Sequence, residues 1–128
     1  MPTKRRMSPL RLLAELRKLL ARPDTRVSKR RLKICGQSTW EYESTDKSKV
    51  WNIQIYLDPR RDGSVRLVLH ELLHIYMAAH LNIDARMVYK LEEAAICAWE
   101  KVLYEYLHDA KRSAELESWN RAIIRKTV

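Results

Sequence analysis

Two glycines and four prolines are the only strong backbone punctuation in 128 residues, where average usage would supply roughly nine and six. Sandwiches and barrels reverse direction often and draw on those residues at each reversal. Their scarcity favours long helices. With 46% hydrophobic and 32% charged residues, the chain has enough apolar material for one modest core, read as a single domain over 1–128. No apolar run reaches the ~18 residues of a bilayer-spanning helix, and no signal peptide follows Met1, so no membrane partner is expected. Cys35 and Cys97 stand far apart with no CxxC spacing, which suggests neither a disulfide framework nor a cysteine zinc site. A reducing, cytoplasmic compartment is the default expectation.

Ser8-Pro9 reads as an N-cap followed by proline at the first helical position. Leu10, Leu13, Leu16, Leu19 and Leu20 then recur at helical spacing until Pro23. Partial alternation from Arg26 to about Cys35 predicts a strand ending at Gly36, and Trp40 and Tyr42 mark a second. Val50 to Leu57 gives the best strand, with Trp51, Ile53, Ile55 and Leu57 alternating against Asn52, Gln54 and Tyr56. In this pattern Trp40 and Trp51 are core residues. Asp62-Gly63-Ser64 opens an apolar helix from Val65 to Leu81. Asp84 caps a long helix to about Tyr106, and a final helical segment runs to about Ile124. The order predicts an α+β fold with an N-terminal helix and a small antiparallel or mixed sheet of about three strands.

His70-Glu71-Leu72-Leu73-His74 lies inside the apolar helix. Four residues advance a helix by about 400°, so both imidazoles project from one face, one turn apart. That spacing lets two nitrogens reach one Zn²⁺ at about 2.0–2.1 Å. Glu71, one position round from His70, can reach a water held there and act as general base. Val65, Leu67, Val68, Leu69, Leu72, Leu73, Ile75 and Met77 surround the motif. Two histidines and a carboxylate in so apolar a helix are costly to bury unless something pairs them.

The third ligand is read from the next helix. Its apolar stripe runs Val88, Leu91, Ala95, Trp99, Val102, Tyr106. Glu92 falls inside this stripe and Glu93 about 100° further round, toward solvent. A carboxylate in a core stripe needs a partner, either a metal or a cation such as Arg66 or Arg86. Glu93 and His80 remain alternatives. His80 gives the metzincin-like spacing HExxHxxxxxH, and Met87-Val88-Tyr89 imitates a Met-turn. However, Met77 stands where that pattern requires a glycine to break the helix.

HELLH on a core helix, preceded by an apolar strand and followed by a glutamate helix, resembles the zincin fold of gluzincin type. It is similar to the very small HELLH proteins of phage and bacterial genomes, and more distantly to SprT-like proteases. The resemblance covers roughly Val50 to Leu107. It implies a zinc metallopeptidase with His70 and His74 as ligands and Glu71 as base. It also implies that the strand Val50 to Leu57 pairs with an extended peptide. Gluzincins commonly orient a histidine with a polar residue four positions after the ligand glutamate. Here that position is Ile96, or Cys97 if Glu93 is the ligand. SprT-like proteins use a third histidine and often a cysteine zinc ribbon, and this chain matches neither.

The expected activity is hydrolysis of a peptide or protein substrate with Zn²⁺ on His70, His74 and Glu92 and with Glu71 as base. Tyr76, Tyr89 and His108 are candidates for a further transition-state donor. The alternatives are a non-catalytic zinc-binding protein of the same fold and a nucleic-acid-associated module. The second rests on charge. Residues 1–33 hold twelve Lys/Arg and two acids within a net charge of +9, so the remainder is near neutral. Such a basic arm suits nucleic acid or another anionic partner.

Overall fold

In the computed structural model, residues 8–32, 36–46, 48–59, 64–81 and 85–127 are described, with the backbone alone at 81, 85–92, 94 and 110. Asp62 and Gly63 of the expected helix start, the expected cap at Asp84, and part of the basic segment 1–33 lie outside the described residues. The elements follow as α1 (Pro9–Ala21), β1 (Arg26–Lys29), β2 (Gly36–Tyr42), β3 (Val50–Leu57), α2 (Ser64–Leu81), α3 (Ala85–His108), a 3-10 turn (Ala110–Arg112) and α4 (Ser113–Lys126).

Helix α1 starts as its sequence dictates. Ser8 Oγ accepts the Arg11 N–H at 3.2 Å, satisfying one of the four amide groups that a helix start leaves without a partner. Leu12, Leu13, Leu16 and Leu20 are buried, whereas Leu10 is exposed.

The three strands form one mixed sheet in the order β1-β3-β2. β3 pairs parallel with β1 and antiparallel with β2. It is therefore central, with both edges engaged. This corrects the expectation that Val50–Leu57 pairs with a substrate peptide, because the strand has no free ladder to offer. β2 starts at Gly36 and is longer than the Trp40–Tyr42 segment anticipated. Beyond Lys29 the first predicted strand ends early.

A second correction concerns Trp51. The β2–β3 register shifts between Thr39 and Glu41, and Asn52 opposite the shift has φ 49°. Asparagine tolerates this left-handed conformation better than most residues. The extra residue reverses the strand's facing below Ile53. Val50 turns inward at 7% exposure and Trp51 turns outward at 38%. Trp40 is half-buried against the core.

Helix α2 packs against α1, α3, α4, β2 and β3. A helix covered on nearly every side must be apolar on nearly every side, and Val65, Val68, Leu69, Leu72, Leu73, Ile75 and Ala78 are all buried. The HELLH segment thus sits at the centre of the fold. No helix among the described residues is long and apolar enough to cross a membrane.

Candidate metal centre

The site forms where α2, α3 and the edge strand β2 meet. His70 Nε2 and His74 Nε2 lie 3.2 Å apart, a separation that one helical turn between them allows. The Glu93 carboxylate from α3 meets both. Its Oε1 is 3.1 Å from His70 Nε2 and its Oε2 is 2.9 Å from His74 Nε2. The second contact is an ion pair and not a hydrogen bond. Glu93 Oε2 is buried without one, alone in this among the side-chain atoms of the described residues.

This placement corrects the phase assigned to α3. The inward face carries Ile96, Glu100, Leu103 and Leu107, all buried, whereas Val102 is 45% exposed. Glu93 lies three residues before Ile96, and its carboxylate reaches His70 and His74. The expectation that Glu93 turns to solvent fails. Glu92, the expected ligand, has a side chain outside the described residues, as do Arg86, Val88 and Tyr89.

Glu100 was not anticipated from the sequence. It is 8% exposed, with Oε1 3.0 Å from His70 Nδ1 and Oε2 2.6 Å from Arg66 Nε. A carboxylate on Nδ1 holds the proton there and leaves the Nε2 lone pair free toward Glu93 and His74. Arg66 in turn holds Glu100 and lies over the Tyr104 ring. The only available signal was the spacing 93, 96, 100, 103, 107, which puts two acids on an otherwise apolar face. The Cys97 Sγ is 3.7 Å from Glu93 Oε1.

Glu71 is buried at 7% exposure, and it lies against Gly36 of β2. Burial pushes its carboxyl above the ordinary range. A hydrogen bond from Ser38 and the charge on His70 act against that rise, while Glu93 adds to it. Burial lowers the His74 imidazole, against the pull of Glu93. The ligand atoms of His70, Glu71 and His74 lie within 4.8 Å of one another. All three line a cleft of about 850 Å³ with Gly36, Ser38 and Trp40 from β2 and Arg66 and Lys101 on the helices.

His80 does not join this group. Helix α2 continues unbroken through Met77 to Leu81, and the exposed His80 ring stacks on Tyr76 at 5.6 Å between centroids. Tyr76 itself feels Glu15 and Arg11 of α1, and His108 packs edge-on to Tyr104. Neither lines the cleft.

The donor set can be tested against a tetrahedral zinc. Two ligands at 2.0–2.1 Å under a tetrahedral angle stand about 3.3 Å apart. The two imidazole nitrogens stand 3.2 Å apart, and 3.1 and 2.9 Å from the two different oxygens of Glu93, so the residues fit once the carboxylate turns to bring one oxygen toward both nitrogens. No family model, curated protein or solved structure matches the chain.

Proposed function

We propose that this protein is a zinc-dependent hydrolase of peptide bonds, with His70, His74 and Glu93 holding the metal. The observation that carries the reading is the convergence of both imidazole Nε2 atoms and the Glu93 carboxylate, at separations of 2.9 to 3.2 Å, on the wall of the cleft. Glu93 replaces the Glu92 expected from periodicity. A bound zinc would supply a Lewis acid and acidify a water molecule. Glu71, one position off the ligand axis and buried beside it, takes the water proton and returns it to the leaving amine. Glu100 fixes the His70 tautomer. Because β3 is engaged on both sides, β2 is the strand at the cleft with an edge available to an extended substrate.

The test measures zinc per chain together with peptidase activity. Wild type is expected to hold one zinc, Glu93→Ala to lose it, and Glu71→Gln to keep it while losing activity. Peptidase activity surviving at normal rate in Glu71→Gln overturns the mechanism. A folded wild type that takes up no zinc overturns the whole reading.

A second reading rests on Cys97. His70, Glu93 and Cys97 also offer ligand atoms within 4.8 Å of one another. A thiolate in the fourth position would close the site, as in structural zinc centres. The cobalt-substituted protein separates the two. A thiolate-to-cobalt charge-transfer band that disappears in Cys97→Ser favours the closed, non-catalytic site.

A further inference from the structure

A second surface is built where α1 and α4 lie side by side, apart from the cleft. Arg17 Nη2 reaches Ser118 Oγ at 3.1 Å and the Ser118 carbonyl at 3.3 Å. Further along both helices, Lys126 Nζ donates to the Arg22 carbonyl at 2.7 Å. The helices therefore run in the same direction, and their C-terminal ends come together. Segment 17–22 contributes Arg17, Lys18 and Arg22, and segment 121–126 contributes Arg121, Arg125 and Lys126, with no acid in either segment.

Two of these six charges are matched locally, Lys18 by Glu15 at 3.2 Å and Arg22 by Asp24 at 3.0 Å. Arg17, Arg121 and Arg125 form no ion pair with a carboxylate among the described residues. Arg121 and Arg125 follow Ser118 by three and seven residues on the face of α4 that meets Arg17, and burial, then Arg125 and Arg121, disfavour the charged form of Arg17. Guanidiniums grouped without a counter-charge repel one another, and a polyanion laid across them removes that repulsion. Their planar forks also suit phosphate oxygens.

We infer that the paired C-terminal ends of α1 and α4 form a docking surface for the phosphodiester backbone of duplex DNA. Sequence places the excess charge in residues 1–33. The fold completes the surface with Arg121 and Arg125, almost a hundred residues away. The aromatic side chain beneath the patch, Trp119, is 4% exposed and covered by the Arg17 guanidinium 5.2 Å from its ring. No base can stack there, so the surface fits a duplex backbone rather than a single strand. Binding is independent of base sequence, because contacts to phosphate carry none of it. None of this depends on a metal at the HELLH site.

The test is the salt dependence of binding to a short labelled duplex by the full chain. Affinity should fall linearly in log–log form, each neutralised phosphate contributing a slope of about −0.9. Arg121→Ser with Arg125→Ser should flatten the slope by about 1.8 and weaken low-salt binding roughly tenfold or more. Arg121→Lys with Arg125→Lys should keep most of the slope, which separates charge from any structural effect. The triple change Lys29→Ser, Arg30→Ser, Arg31→Ser should leave the α1–α4 contribution in place. Absence of duplex binding at low salt overturns the inference. So does an unchanged slope in the Ser pair, a slope lost only in the 29–31 variant, or tighter binding to single strands or to phosphatidylserine vesicles.

Discussion

Glu100 shows how much of the proposed chemistry rests on a side chain that would touch no metal. His70 can present Nε2 as a lone pair only if the proton sits on Nδ1, and Glu100 Oε1 at 3.0 Å holds it there. Arg66 Nε at 2.6 Å fixes the carboxylate in turn. With Arg66 only half covered, solvent screens the pair, so the value of the contact lies in orientation. Glu100→Gln keeps the size of the group and removes its charge, leaving an amide that holds the Nδ1 proton less firmly. The expected result is a folded protein whose zinc affinity is weaker by about 10–100-fold, measured by competition with a chelating dye. Unchanged affinity would mean that Glu100 does no more than pair with Arg66.

At the scale of elements, α3 shows what the sequence exposes and what it hides. HELLH, the Ser8 cap of α1 and the alternating Ile53, Ile55 and Leu57 were legible because apolar period and local chemistry agree there. On α3 they compete. The stripe through Ala95, Trp99, Val102 and Tyr106 is richer in apolar residues, so it reads as the core face. The face that packs inward is Ile96, Glu100, Leu103, Leu107, extended by Glu93 against the two histidines, and two carboxylates mask the pattern. Hydrophobicity cannot find a face whose polar members are matched by histidines on another helix, since the partner appears only in the fold. The same limit hid the bulge at Asn52, a one-residue shift that exchanges Trp51 for Val50 in the core. The phase of α3 can be tested by stability alone. Leu103 is fully buried and Val102 is 45% exposed. Leu103→Ala should destabilise the protein by about 2–5 kcal/mol, and Val102→Ala should stay within about 0.5 kcal/mol. Denaturant melts with the reverse order would restore the stripe through Val102 and turn Glu93 away from the core.

For the whole molecule, the proposed ligands tie α2, which every other helix packs against, to α3. Burying these polar groups carries a cost at this junction. Burial disfavours charge on Glu71 and on His74, and Glu93 Oε2 has no hydrogen bond. The sign for His74 follows from its lowered pKa. The unfolded chain takes up the proton first, so the stability His74 contributes is present above the ordinary histidine value of 6.5 and is lost as pH falls below it. A zinc bound to the folded chain alone would offset these costs by mass action, by about 2.7 kcal/mol when free metal stands at a hundred times the dissociation constant. For a domain of this length that corresponds to a rise in Tm on the order of 10 °C. Calorimetric scans at neutral pH should show this drop on adding a chelator to wild type and almost none for Glu93→Ala. Acidification should shrink the wild-type difference, because protons compete for the imidazoles. If the chelator lowers Tm equally in both proteins, the stabilising ion is bound elsewhere and Glu93 is not its ligand.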